Sequence, residues 1–274
     1  MNMKNKIALI MSVYKNDKLD YLKESLESLY NQTCKEFDIF IQCDGSLPYN
    51  LEKYLDSELE KSKIFYLKKR EENRGLAFSL NELLDKVLQS EYDFVARMDA
   101  DDISVSIRIE QQYIFMKDNP NIDVCGAFIE EFNTDTKEKQ IISYPEKSNE
   151  ILFNMKKRNS IAHVTTFFRK SFFEKVGKYD EEKLNEDFDL WIRGFKEDCH
   201  FYNLQYVLVR VRTSQDFFNR RRNLKRAIEV MYLKIDVTKT FSLGFLGYIY
   251  AIAHFMLFMS PGWVKSFIYK HLRK

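Results

Sequence analysis

Ile7–Val13 is an apolar run of strand length, and Lys18–Asn31 follows it with Leu22, Leu26 and Leu29 at helical spacing. The pattern then repeats. Phe37–Cys43 reads as a strand ending in Asp44-Gly45-Ser46, Asn50–Lys61 as a helix and Lys63–Leu67 as a strand. Gly75–Leu88 is a helix with Leu76, Leu80, Leu83, Leu84 and Val87 on one side. Tyr92–Met98 is a short buried strand that runs straight into Asp99, Asp101 and Asp102. Strands alternating with helices predict an α/β fold with a mostly parallel sheet and right-handed crossovers. Beyond the acids the pattern predicts a helix over Ser106–Lys117, strands over Asp123–Phe132 and Gln140–Tyr144, a helix over Lys147–Lys157 and a strand over Ala162–Arg169. Lys183–Phe195 reads as a loop passing into a helix, with Asn185 as its cap and acids at its positive end. Tyr206–Arg212 is a late strand.

Parallel sheets gather ligands at the carboxyl ends of their strands, and Tyr14, Asp44 and Asp99 all fall at such ends. In extended chain residues i and i+2 point the same way, so Asp99 and Asp101 are expected to present two carboxylates to one side. A hard divalent cation, Mg or Mn, with phosphates completing its shell, is the natural partner of such a pair. The competing reading is a solvated acidic turn that caps the following helix. No glycine-rich loop follows the first strand, where Ser12-Val13-Tyr14-Lys15-Asn16 stands. A dinucleotide fingerprint and a P-loop are therefore excluded, and a nucleotide would be held by side chains and a metal.

Composition changes the picture in two places. The four cysteines are scattered without a C-x-x-C, and four histidines lack paired spacing. Both features argue against a disulfide framework or a zinc hydrolase and for reduced thiols. The net charge is +2, but the stretch from Arg210 to the end carries a local balance of +10, against −8 for the first 209 residues. That asymmetry suggests a tail that meets an anionic surface, a membrane or a nucleic acid. Met1–Lys6 leads directly into a strand without the pattern of a signal peptide, so the expected location is the cytoplasm.

Several motifs, taken in order, resemble glycosyltransferase family 2. They are MSVYKND, ESLESLYNQT, Asp44-Gly45-Ser46, NRGLAFSLN, ARMDADDIS with Arg108, FFRKSFFEKVGKYDE and EDFDLWIR, over roughly residues 7–195. The chain is similar above all to bacterial enzymes of O-antigen, capsule and exopolysaccharide assembly, including the amylovoran type. The resemblance implies a GT-A fold over residues 1–215 that binds a UDP-sugar donor. Tyr14 would stack on the uracil and Asp44 would accept a hydrogen bond from the base. Asn73, Gly75 and Arg97 would lie beside the nucleotide. Asp99 would contact ribose or metal, Asp101 would ligate the divalent cation, and Asp187 would be the general base. The reaction implied is inverting transfer of a hexose or N-acetylhexosamine to a polyprenyl-diphosphate-linked sugar. Arg212-Thr213-Ser214-Gln215 stands where many relatives carry a histidine, and Arg220-Arg221-Arg222 could replace its phosphate contact or simply start a charged helix. His163 could face the site, but a hydrogen-bonded structural role is the expectation.

Residues 216–274 read as a basic and apolar helical extension. Phe241–Met259 is an uncharged stretch of 19 residues, flanked by basic clusters and ended by Pro261-Gly262. A single span would place one basic cluster outside, so an interfacial or re-entrant helix pair on the cytoplasmic leaflet of the inner membrane is expected, with no nucleic-acid partner; the competing readings are a helix packed on the catalytic domain and a true span. Two other classes share parts of this pattern: a sugar nucleotidyltransferase and a catalytically inactive assembly subunit.

Overall fold

A computed structural model of the protein describes residues 6–213 and 224–260. The first half alternates as its hydrophobic pattern demands: β1 (Ile7–Tyr14), α1 (Leu19–Tyr30), β2 (Phe37–Asp44), α2 (Tyr49–Glu60), β3 (Tyr66–Lys69), α3 (Leu76–Leu88) and β4 (Phe94–Asp99). Strand β1 is the centre of this half, pairing in parallel with β2 and with β4, and its residues Ile7–Met11 are fully buried. Such a strand is covered on both faces, which is why it reads as a continuous apolar run.

The second half comprises β5 (Ile103–Ser104), α4 (Arg108–Asp118), β6 (Val124–Asn133), β7 (Lys139–Ile142), α5 (Ser148–Met155), β8 (Phe167–Arg169), α6 (Lys170–Val176), α7 (Glu186–Lys196) and β9 (Phe201–Thr213). Among the described residues the strands form one sheet in the order β3-β2-β1-β4-β8-β6-β9-β5, with β7 on β6. The sheet is mixed, which corrects the expectation of a mostly parallel one. Strand β8 enters antiparallel to both β4 and β6, β5 is antiparallel to β9, and β7 returns antiparallel on β6. The link from β6 to β7 is too short for a parallel crossover and must make a hairpin, while β6 and β9 pair in parallel.

The strand expected over Ala162–Arg169 is also corrected. Residues His163–Thr165 form a 3-10 turn, and only Phe167–Arg169 join the sheet. The Thr165 hydroxyl donates to the Ala162 carbonyl at 2.8 Å and the Thr166 hydroxyl to that of His163 at 2.7 Å. These local bonds compete with a ladder and close the turn.

Two apolar cores cover the two faces of the sheet. One packs α1, α2 and α4 through residues such as Leu22, Leu26, Leu55 and Met116. The other packs α3, α5, α6 and α7 through Leu80, Leu84, Phe172 and Trp191. Two further helices, α8 (Leu224–Thr240) and α9 (Leu246–Met259), follow β9. Leu233 and Val237 of α8 enter the second core, and Lys234, 1% exposed, donates from Nζ to the Lys157 carbonyl at 2.6 Å. Helix α9 leaves Phe245, Leu246, Ile249, Ile252 and Met256 of its apolar sequence exposed. No described helix is long and apolar enough to cross a membrane. Arg220-Arg221-Arg222, Pro261-Gly262 and the basic segment after it lie outside the described residues.

Candidate active site

The register of the parallel strands brings the first expected site residues together. Tyr14 pairs with Asp44 across β1 and β2, and Ser12 pairs with Asp99 across β1 and β4. Tyr14 is half-buried at the end of its strand, and its backbone N–H donates to Asp17 Oδ2 at 2.8 Å.

Asp44 is 4% exposed and its carboxylate is fully engaged. Oδ1 accepts from the Arg74 N–H at 2.8 Å and from Arg70 Nη2. Oδ2 accepts from Asn73 Nδ2 and from the Gly75 N–H, both at 3.0 Å. Four donors fill the four lone-pair sites of a carboxylate. Arg70 also pairs with Glu82 and donates to Ser79 Oγ at 3.0 Å. The backbone makes this possible at two glycines. Gly45 has φ 88°, and a Cβ there would come within 3.0 Å of the Asn73 nitrogen. Gly75 sits at the N-cap position of α3 with φ 93°. Beside Asp44 opens a cavity of about 290 Å³ lined by Gly45, Ser46, Leu47, Lys69, Arg70 and Glu71, among others.

Strand alternation does not carry past Asp99, because residues 100–101 form a turn. The side-by-side placement expected from an extended chain is therefore replaced by a bend, yet the acids still crowd. Asp101 is pushed up to about 6 by burial and by the charge of Asp99. Asp99 forms a two-pronged ion pair with Arg97 at 2.5 and 2.7 Å. Burial opposes the charge of Arg97, but Asp99, Tyr179 and Glu186 outweigh it and hold the guanidinium ionised. Arg108, fully buried beneath the turn, donates to the Arg97 carbonyl at 2.7 Å. Among the described residues no three His, Cys, Asp or Glu side chains form a metal cage. Two crowded carboxylates fit an ion of the Mg²⁺ type, which binds through one or two carboxylates plus substrate phosphates. Asp101 and Asp99 are the residues that would hold it.

Asp187 lies in the first turn of α7. Its Oδ2 accepts from Asn159 Nδ2 at 2.6 Å and its Oδ1 from the Phe188 N–H at 2.8 Å. Glu186 beside it is pushed up to about 7 by burial and then by the charge of Asp187, against the pull of Arg226 and Arg97. Asp189 faces elsewhere, bracing Arg193 at 2.8 Å. Asn185 holds the N-cap position, but it makes no side-chain cap to its own helix, contrary to expectation. Its amide is engaged by α8 instead: Arg226 Nε donates to Oδ1 at 3.1 Å and Nδ2 donates to Glu229 at 3.0 Å. His163 is half-buried with Nε2 at 2.8 Å from the Tyr179 hydroxyl, and desolvation, then the Arg97 charge, keeps its ring neutral. The Tyr179 phenol, itself raised by burial, feels Arg97, Glu186, Asp187 and Asp99 together. Arg97, paired with Asp99, thus lies within electrostatic reach of Glu186 as well, and Tyr179 feels both sets of acids.

Sequence reasoning gave Asp102 no role of its own, missed Asn159, Tyr179, Arg226 and Glu229, and read Arg212 only as a departure. Asp102 is 2% exposed and accepts the Arg212 N–H at 2.8 Å, while Arg212 Nε donates to the Asp101 carbonyl at 2.9 Å. The guanidinium then lies 3.9 Å from the centre of the Tyr21 ring. The third acid of the triplet therefore ties the acidic turn to β9. Its place in the motif was the only sequence signal.

Known proteins share both the sequence and the fold. The chain is 30% identical over 268 residues to the UDP-Gal:alpha-D-GlcNAc-diphosphoundecaprenol beta-1,3-galactosyltransferase of Escherichia coli, covering 97% of this chain and 95% of that one. It is also 30% identical over 271 residues to the amylovoran biosynthesis glycosyltransferase AmsE of Erwinia amylovora, covering 97% and 99%. Residues 1–349 of S. aureus TarS, solved in complex with UDP-GlcNAc, superpose with a TM-score of 0.60 at 17% identity, over 98% of this chain and 85% of that one. At that identity the likeness speaks for the fold. The profile described as Glycosyl transferase family 2 matches residues 8–177, and with these relatives it establishes that the chain belongs to glycosyltransferase family 2.

Proposed function

We propose that the protein moves a hexose or N-acetylhexosamine from a UDP-sugar to a polyprenyl-diphosphate-linked sugar, with inversion, in the assembly of a bacterial surface polysaccharide. The observation that carries this reading is the separation of two acid sets: Asp99 and Asp101 after β4, and Glu186-Asp187 at the start of α7, with Arg97 within electrostatic reach of both. The E. coli relative is by name a UDP-galactose enzyme with a diphosphoundecaprenol acceptor, and the TarS fragment binds UDP-GlcNAc.

Tyr14 stacks on the uracil, and the cavity beside Asp44 takes the ring. Asp44 accepts the ring N–H. Since its lone pairs are already filled, Arg70 gives way, having Glu82 and Ser79 to retain. Asn73 and Gly75 keep Asp44 in place. Asp101, with Asp99 alongside, would hold a divalent cation, which would supply the counter-charge of the diphosphate. Asp187 takes the proton of the acceptor hydroxyl as that oxygen bonds to the anomeric carbon. The bond to the diphosphate breaks at the same time, and UDP leaves with the electron pair. An α-linked donor so yields a β-glycoside. General-base help of this kind contributes about 10²–10⁴-fold.

Residues 1–215 form the catalytic domain in this reading, and 216–274 form an extension at the cytoplasmic leaflet. The support is the exposed stripe on α9, where Phe245, Ile249, Ile252 and Met256 recur at helical spacing. The basic residues Lys265, Lys270, Arg273 and Lys274 follow in the sequence. Family membership leaves an inactive assembly subunit as the competing reading.

The deciding experiment offers a panel of UDP-sugars and lipid-diphosphate-sugar acceptors to the full chain, with products read by mass spectrometry. Asp187→Asn, run in parallel, is expected to keep donor affinity and lose at least about 10²-fold in transfer. Asp101→Ala is expected to abolish transfer. No product from any pair, or a fully active Asp187→Asn, would sink the reading.

A further inference from the structure

Helix α8 meets the rest of the protein in two ways. Along its C-terminal half Leu233 and Val237 make apolar contact, Lys234 caps the carbonyl of Lys157, and Asp236 pairs with Lys196 of α7 at 2.9 Å. Near its N-terminal end the contact is polar and reaches Leu184 and Asn185. Glu229 Oε2 accepts the Leu184 N–H at 3.1 Å, and Oε1 accepts the Asn185 N–H at 2.8 Å and its Nδ2 at 3.0 Å. Arg226 adds its Nε bond to Asn185 Oδ1. Glu186 and Asp187 come next in the chain.

This arrangement is more than a docking contact. An N-cap side chain ordinarily bonds its own helix, which is worth about 0.5–2 kcal/mol. Asn185 gives up that bond and turns its amide to α8. Leu184 and Asn185 therefore have their backbone donors and one side chain fixed by a helix some 40 residues away. The acceptor is a carboxylate, whose hydrogen bonds are short and about twice as strong as neutral ones. What α8 fixes is the entry of the chain into α7, and with it the aim of the first-turn acids. Asn159 restrains Asp187 from the opposite side.

We propose that α8 belongs to the catalytic apparatus: Glu229, aided by Arg226, is a positioning residue that aims the acids at the start of α7. The inference rests on the reading of Asp187 as base. It also joins two parts of the molecule that the sequence separates, because the helix that grips the base loop is packed against the helix that carries the exposed apolar stripe. A misplacement of about 1 Å at a reacting group can cost on the order of 10²-fold in rate.

The test uses the full chain and whichever UDP-sugar the parent turns over with a lipid-diphosphate-sugar acceptor. Glu229→Ala removes all three acceptor contacts. It is expected to lower kcat roughly 10- to 10²-fold with the donor KM within about twofold of the parent, at a temperature where the variant is folded. Glu229→Gln keeps one acceptor oxygen and is expected to fall between the two. Amide exchange at Leu184 and Asn185 should quicken in the same order. A kcat equal to the parent's in folded Glu229→Ala overturns the proposal. So does a loss shared equally by kcat and donor affinity, which a merely structural helix contact would give. If Glu229→Ala does not fold, Glu229→Gln decides, and a parental kcat there is the overturning result. Asp187→Asn separates the two levels. If it is dead while Glu229→Ala is normal, only this inference falls; if it is fully active, the base assignment falls and this inference with it.

Discussion

Asp44 and Asp187 both have their two carboxylate oxygens engaged, but the chain supplies their surroundings from different places. Everything that binds Asp44 comes from residues 70–75, on the connection between β3 and α3 of the same parallel half. Asp187 is held by Asn159 from the mixed second half, and its approach is held by Arg226 and Glu229 beyond the last strand. The surroundings of Asp44 can therefore form as soon as consecutive strand–helix units assemble. The opposite side is complete only when the C-terminal hairpin has docked. Regions secured by a few late contacts open at lower free energy than a core strand does. The two sides should thus respond differently to perturbation.

The largest effect is expected where the two sides touch. Arg97 is 3% exposed, is paired with Asp99, and feels Glu186 across the cleft. Arg97→Met leaves Asp99 without its charged partner and removes a cation from beside Glu186. Hydrogen bonds to charged groups are worth about 1.5–3 kcal/mol, so kcat/KM should fall roughly 10- to 10²-fold. Steady-state kinetics should show both a raised donor KM and a lowered kcat. A change in only one would mean that Arg97 serves one side alone.

A smaller effect should separate the sides. Ile249→Glu combined with Ile252→Glu places two charges in the exposed stripe of α9. In flotation with vesicles containing anionic lipid, the bound fraction should drop about tenfold or more. Slow hydrolysis of the UDP-sugar, which needs no lipid, should be unchanged. Equal loss of both would show that the hairpin supports the nucleotide side too.

The smallest effect is on stability. With its proton affinity raised to about 7, Glu186 in the folded protein binds more protons than in the unfolded chain between the ordinary value of 4.5 and that point. Its protonated form therefore stabilises fully below about 4.5, and this stabilisation is lost as pH rises through about 7. Glu186→Gln is neutral throughout. Its melting temperature should exceed the parent's by a few degrees at pH 8, at about 2–4 °C per kcal/mol, and match it near pH 4.5. A gain that is the same at both values would point to packing rather than charge.

The strand ends bearing Tyr14, Asp44 and Asp99 were legible because each follows from a local run of apolar residues and the rule that joins such runs in parallel. The bend at residues 100–101 was not, since an acidic turn and an extended strand end have the same composition. The 3-10 turn at His163–Thr165 was hidden for a related reason: β-branched Thr165 and Thr166 suit a strand unless their hydroxyls find carbonyls nearby. Asn185 was misread because a cap residue in sequence does not reveal a competing carboxylate on another helix. Arg212 and Glu229 act across 110 and 44 positions respectively, and no local pattern encodes such a contact. The location of Asp187 in a first helical turn was readable from its motif, but the residues that hold it were not.

Because Arg70, Asn73, Arg74 and Gly75 are all bonded to Asp44, the loop from 70 to 75 acquires its shape during folding rather than during catalysis. Freezing the backbone of one residue costs roughly 1–2 kcal/mol in conformational entropy. Six residues ordered only on donor arrival would draw that cost from the donor's affinity. Here it falls on the folding of the parallel half, where two apolar cores can bear it. In the proposed reading the nucleotide meets a preformed cradle in which a single arginine swings aside. Its association should be rapid and monophasic, with no slow ordering step before chemistry begins.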